Sequence, residues 1–464
     1  MEKVLKPFGT KDKVGYMFGD FGNDFTFILS STILMKFYSD VMGVSVGLVG
    51  IMMMAARFVD AFTDVTMGQI VDRSRPGKKG KFIKWIKWMS GPVAVASFLM
   101  YATWFRNMPM AFKIFWMFFT YFLWGSIFYT GINIPYGSMA SAISADPKHR
   151  AELSNWRTIG ASLAGMVIGV AVPLVVYYKD ASGNPVLSGN RVTVVALICS
   201  VGALLCYFIC YLLVTERVMV EQKREKFNLK ELLVSLVTNK PLVGIVFASI
   251  FMLLVQLTSQ NMMTYVYPNY FGNTTAQSLA GLMGTVVTLI CSIFTVKLSQ
   301  KFGRKELAIC ASVFGAVVFI VTYVLQITNV WLFVGLFALS YVGLGIFSLI
   351  NWAMIADVID DAEVHMGERA DGTIYAVYSF ARKLGQAAAS GVSGFLLTFI
   401  GYTAETAFDS TVTKGIYDIT CLVPAIGYVL LSLVLIFMYP LNKSRVEKNA
   451  EFLAKKREGR TDLQ

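Results

Sequence analysis

Residues 45–71 read SVGLVGIMMMAARFVDAFTDVTMGQIV. The stretch is long enough to cross a hydrocarbon core, which takes about 20 mostly apolar residues in a helix. Yet it carries Arg57, Asp60 and Asp64, at helical spacing i, i+3 and i+7 on one face. An ionisable side chain at the bilayer centre costs roughly 2.5–3.5 kcal/mol on insertion scales. A spanning helix with three of them must turn that face toward other helices, so the segment predicts a bundle of membrane helices around a polar interior.

Working outward, comparable stretches recur near 13–40, 83–105, 111–143, 154–178, 192–214, 242–271, 277–299, 307–327, 330–357, 373–400 and 416–439. With 45–71 they make twelve spans, and the fold expected is an all-α integral membrane protein. Composition agrees: the chain is 56% hydrophobic and only 15% charged, where a soluble domain carries roughly 25% charged residues. Gly22, Pro135, Gly165 and Gly385 fall inside spans, which predicts tilted or broken helices. The net charge of +12 raises nucleic acid as a partner, but the basic residues gather in alternate loops and the tails, as with Arg73, Arg75, Lys78, Lys79 and Lys81. That is a membrane topology, with a lipid bilayer as partner and no nucleic acid; the positive-inside rule puts both termini in the cytoplasm and the chain, multi-pass, in the cell (inner or plasma) membrane. The six cysteines lie in spans without metal-type spacing, so no disulfide is expected. The start lacks the pattern of a cleaved signal peptide, and the first span is expected to be retained.

Residues 215–241 form the longest polar interruption and divide the spans six and six. The organisation expected is a first six-helix bundle over 1–214, a central cytoplasmic loop over 215–241, a second bundle over 242–440 and a cytoplasmic tail over 441–464. Internal echoes support two pseudo-symmetric halves. GQIVDRSRPGKKGKF and VKLSQKFGRKE begin 228 positions apart, and Arg157 and Lys383 are separated by 226, as are Gly165 and Gly391. The small-residue runs GASLAG and GQAAASGVSG permit close helix approach, either as static packing or as surfaces that rock.

The charges inside the spans point to transport. Asp20 and Asp24 stand four apart in the first span; Asp60 and Asp64 stand four apart in the second. Two carboxylates one turn apart in low dielectric repel unless a cation or proton neutralises them, which makes Asp60 and Asp64 a natural coupling site. Thr63, Thr130 and Asn133 are candidate donors of further oxygens. The competing reading pairs Asp60 or Asp64 with Arg57 as a packing device. Asp20 reads as structural, and Lys36 as a side chain that snorkels to the interface. Arg157 and Lys383 must meet carboxylates or substrate oxygens, and Asp24 is a partner for either. Tyr129, Tyr375, Tyr378 and Trp352 are candidate aromatic faces for a sugar. An enzyme is disfavoured: the only histidines, His149 and His365, fall in loops, with no nucleophile and base in evidence.

FGNDF (21–25), ARFVDAFTD (56–64), YTGINIPYGS (129–138), ADVIDDAE (356–363) and GERADGTIYAVYSFARKLGQA (367–387) together resemble the glycoside-pentoside-hexuronide:cation symporters, the melibiose permease group of the major facilitator superfamily. The resemblance implies import of a sugar or glycoside, of pentoside, glucuronide or galactoside type, by alternating access. The coupling ion is H⁺ or Na⁺; no other cofactor is implied, and a monomer is expected. It assigns Asp24, Tyr129, Asn133, Arg157, Tyr378 and Lys383 to the substrate, and Asp60, Thr63, Asp64 and Thr130 to the cation. Asp60 and Asp64 act as metal ligands only if Na⁺ is the ion, and Asp357 and Arg369 look like a cytoplasmic gate. The pattern departs from melibiose permease at Asn23 for a lysine, Thr63 for an asparagine, Asn133 for an aspartate and Gly137 for a tryptophan. These changes argue against melibiose and tilt the coupling toward H⁺. No regulation by a carboxyl-terminal phosphotransfer-type domain is expected. A sodium-dependent lysolipid transporter and a cation-coupled exporter of the same fold are the alternatives.

Overall fold

A computed structural model describes residues 7–77, 79–218, 239–366 and 371–461. Hydrocarbon offers the backbone no hydrogen-bond partner, so each apolar stretch closes its own bonds as a helix. The first half holds α1 (Thr10–Lys36), α2 (Val46–Arg73), α3 (Phe82–Leu99), α4 (Met110–Ile143), α5 (Pro147–Val176) and α6 (Gly189–Leu213). The second holds α7 (Lys240–Tyr265), α8 (Thr274–Phe302), α9 (Arg304–Leu325), α10 (Val330–Met366), α11 (Asp371–Phe399) and α12 (Ser410–Phe437), with α13 (Lys443–Thr461) at the end of the chain. Among the described residues nine helices are long and apolar enough to cross a membrane. The spans outside that set are α1, α3 and α11, which carry the charged residues Asp20 and Asp24, Lys84 and Lys87, and Arg382 and Lys383.

Three π-helical turns widen the spans among the described residues: Phe37–Val41 continues α1, Leu123–Tyr129 lies within α4, and Val266–Tyr270 continues α7. A two-stranded hairpin, β1 (Tyr177–Lys179) and β2 (Pro185–Leu187), joins α5 to α6 with Tyr178 opposite Val186. The chain forms two compact units. Unit 1 comprises residues 1–226 with 267–281 and 394–413; unit 2 comprises 227–266, 282–393 and 414–464.

The core of unit 1 is built on α1, α3, α4 and α6 around Tyr16, Ile83, Ile132, Tyr136 and Tyr207. Tyr16 and Tyr136 stack at 4.6 Å, and each hydroxyl donates to the other's backbone carbonyl, at 3.4 and 2.7 Å. The small-residue runs pack differently from each other. A Cβ on Gly160 would stand 2.5 Å from the Met17 carbonyl, so GASLAG seats α5 on α1 inside the first half. Gly394, the last residue of GQAAASGVSG, instead meets Gly50 of α2 within unit 1, where a Cβ would stand 2.9 Å from the Gly50 Cα.

At the end of the spans nearer the termini, Arg217 binds Asp12 at 2.8 Å. Glu216 caps α3 by accepting the Lys81 and Ile83 backbone N–H groups at 2.7 and 2.6 Å. Burial pushes the Glu216 carboxyl above the usual carboxylate range, against the pull of those donors. In unit 2, Arg445 forms a two-point pair with Asp361 at 2.9 and 3.0 Å and Asn449 adds a bond of 2.7 Å, docking α13 on α10. Replacing Glu216 by Ala leaves the α3 donors without their acceptor. The expected loss is about 1–3 kcal/mol, the penalty of an unmet buried polar group, read as a lowered thermal midpoint in detergent.

Candidate functional site

The coupling candidates meet as rungs between α2 and α4. Asp60 and Asp64 are one turn apart on α2; Ser126 and Thr130 are one turn apart on α4. Ser126 Oγ donates to Asp60 Oδ1 at 2.6 Å, and Thr130 Oγ1 donates to Asp64 Oδ1 at 2.9 Å. One turn earlier, Arg57 Nη1 donates to Asp60 Oδ2 at 3.1 Å and Nη2 lies 3.4 Å from the Tyr121 hydroxyl. The guanidinium also sits over the Phe27 ring at 5.3 Å. The π-helical turn Leu123–Tyr129 sets the phase of α4 between these rungs.

The Arg57 pair is thus present, and the Thr63 hydroxyl turns to the Asp60 carbonyl at 3.4 Å, on its own helix. Arg157 pairs with Asp20 at 2.9 Å, not with Asp24, and its guanidinium lies 5.5 Å from the Tyr136 ring centroid. Asp24 is half-buried and, among the described residues, has no hydrogen-bond partner. Tyr129, Asn133 and Gly137 succeed one another at four-residue spacing on one face of α4. Tyr129 stacks on Phe27 at 5.8 Å, and nothing lies within 4 Å of a Cβ built on Gly137. Asn23 is 1% exposed and accepts a bond from Tyr207 at 2.9 Å, so its side chain faces α6.

In unit 2, Tyr378 is 0% exposed, its hydroxyl held by Asn351 at 2.5 Å. Its ring meets Trp352 edge-on at 5.2 Å and leaves no open face of its own. Trp352 is exposed, with Arg382 5.8 Å from its ring. Lys383 is half-buried on α11. Asp357 pairs with Arg304 at the start of α9; Arg369, the other expected gate residue, and the side chain of Tyr375 lie outside the described residues. Sequence reasoning missed Ser126, Tyr121 and Arg304. A hydroxyl one turn before Thr130 was the available signal for Ser126.

Long apolar helices enclosing paired charges, with a half-buried carboxylate beside them, define a polytopic membrane carrier. Residues 15–443 match the family described as MFS/sugar transport protein, and the chain belongs to that family, of the glycoside-pentoside-hexuronide type. It is 30% identical to the uncharacterized symporter YjmB of Bacillus subtilis (strain 168) over 440 residues, 94% of this chain and 93% of that protein. It is 28% identical to the glucuronide carrier protein homolog of Escherichia coli (strain K12) over 439 residues, covering 94% and 93%. The fold is similar to the crystal structure of the nucleoside transporter NupG, with a TM-score of 0.64 at 13% identity, covering 92% of this chain and 99% of that one.

Removing one member of a buried ion pair strands the other charge, at a cost of about 3–5 kcal/mol, whereas replacing both by apolar residues is often neutral. Arg57→Met is therefore expected to lower the thermal midpoint strongly. Arg57→Met with Asp60→Leu is expected to recover most of the loss, as judged by unfolding of the two variants in the same detergent.

Proposed function

We propose that the protein imports a sugar or glycoside together with a cation, by alternating exposure of one internal site. The observation that carries this reading is a charge imbalance. Among the described residues, and apart from the end pairs Asp12–Arg217 and Lys36–Asp40, the interior of α1, α2, α4 and α5 holds four carboxylates, Asp20, Asp24, Asp60 and Asp64, against two guanidiniums, Arg57 and Arg157. An excess of negative charge in low dielectric calls for a mobile positive charge, and for hydroxyl donors at whichever carboxylate remains.

Asp24 suits the sugar, since a half-buried carboxylate accepts paired hydroxyls, with the Tyr129 ring nearby in sequence phase. Open space at Gly137 supports a substrate wider than a tryptophan-lined site admits. The relative named as a glucuronide carrier homolog supports the hexuronide type, for which Arg157 and Lys383 supply cations. The coupling ion is H⁺. A hard metal ion needs several oxygens, whereas Arg57 already contributes a positive charge to Asp60 and the Thr63 hydroxyl turns away to a backbone carbonyl. The basic loops support a topology with both termini in the cytoplasm. The protein acts as a monomeric carrier, without covalent chemistry.

One charge moving through 100 mV releases about 2.3 kcal/mol, which supports roughly fifty-fold accumulation. In energised vesicles Asp64→Asn is expected to abolish accumulation while keeping sugar exchange at equilibrium. Collapsing the pH gradient should do the same in the unaltered protein. Full accumulation by Asp64→Asn overturns the coupling assignment, and accumulation that tracks a Na⁺ gradient at fixed pH overturns the choice of ion.

A further inference from the structure

The last residue of α1 does not reach for the interface. Lys36 is 1% exposed, at the end of the spans remote from the termini. Its ammonium meets Asp40 Oδ2 at 3.0 Å, Asn269 Oδ1 at 2.8 Å and the Tyr402 hydroxyl at 2.8 Å. The Tyr402 hydroxyl in turn stands 3.0 and 3.1 Å from the two Asp40 carboxylate oxygens, and Ser39 Oγ donates to Asp40 at 2.7 Å. Asn269 is held by donating to the Ala407 carbonyl at 3.1 Å. All of these residues belong to unit 1, but they come from three stretches of chain: the π-helical turn after α1, the π-helical turn after α7, and the loop after α11.

An ammonium has three protons, and here three acceptors surround it. Asp40 comes from its own helix; the other two come from segments more than 230 positions away. If those segments leave, Lys36 keeps Asp40 and must find water for two protons. A cavity of about 310 Å³ lined by Asp40, Asn269, Asp180 and Glu405 lies alongside and can deliver that water. The surrounding contacts favour clean separation. Gly47 faces Thr398, Gly50 faces Gly394 and Gly169 faces Gly281, so backbones meet with few interlocking side chains. Among the described residues, one side-chain bond, Ser278 Oγ to the Val170 carbonyl at 2.9 Å, ties α8 to α5 there.

We propose that Lys36, Asp40, Asn269 and Tyr402 form a charge-locked latch that holds the far end of the transport path shut, and that its release is the step that admits substrate. This rests on the alternating exposure proposed above. The test uses the full-length protein in vesicles, with Ser278→Cys as reporter and an impermeant maleimide applied on the side away from the termini. Labelling is measured relative to the same protein without the reporter.

Tyr402→Phe keeps the ring but removes the hydroxyl shared by Lys36 and Asp40. Its reporter is expected to label at least about tenfold faster, the equivalent of one charge-assisted bond. Lys36→Met should exceed it where that variant folds. Labelling of Tyr402→Phe at the parent rate, with or without a fall in thermal midpoint, marks the cluster as packing only and overturns the latch. A parent reporter whose labelling ignores saturating sugar and pH gradient overturns the alternating-exposure reading, and the latch with it. A parent that responds while Tyr402→Phe does not differ from it overturns the latch alone.

Discussion

A charge in hydrocarbon must be answered from a neighbouring turn or helix, and this requirement organises the polar interior. Asp20 is answered by Arg157, Asp60 by Arg57, Asp357 by Arg304 and Lys36 by Asp40. Three of the four cations are arginines. Their planar fork reaches two acceptors at once, as Arg57 reaches Asp60 and Tyr121, so one side chain fixes two helices. Such pairs add little net stability over apolar packing, yet breaking one is costly. They act as constraints on register, and against them Asp24 stands out as a half-buried carboxylate with no hydrogen-bond partner among the described residues.

How much of this was legible in the sequence depends on where each partner comes from. The twelve spans and the spacing of Asp60 and Asp64 came from hydropathy and the period of one helix. Arg57 was visible as a rival partner because it lies on the same helix. Ser126 was hidden, because its direction is set by a π-helical turn that the residues LWGSIFY do not announce. Lys36 was misjudged as a snorkelling residue: a lysine near a helix end reads that way unless Asn269 and Tyr402 are known to enclose it. Asp357 was legible as a gate residue, but its partner Arg304, 53 positions earlier, was not. Long-range pairing of charges leaves no periodic trace.

The π-helical turns connect these cases. Each inserts an extra residue into a turn and shifts the phase of the helix beyond it, which no average over apolar positions reveals. In α4 the shift separates Tyr121 from Ser126 and Thr130 so that all three meet α2. After α1 and α7 it carries Asp40 and Asn269 to one ammonium. Local helical irregularity thus converts a regular bundle into one with polar sites.

The repeat between halves sharpens the point. Arg157 on α5 and Lys383 on α11 occupy echoing positions, so a symmetric protein would give each the same counter-ion. The partner of Arg157 is Asp20 on α1. The corresponding helix of the second half, α7, runs KPLVGIVFASIFMLLVQLTSQNMMTY and holds no acidic residue. The echo has kept the cation and lost the carboxylate. Divergence of this kind leaves paired carboxylates on α1 and α2, where the echoing helices α7 and α8 have none. The uneven placement of carboxylates on echoing helices is therefore a feature that the internal repeat alone does not foretell.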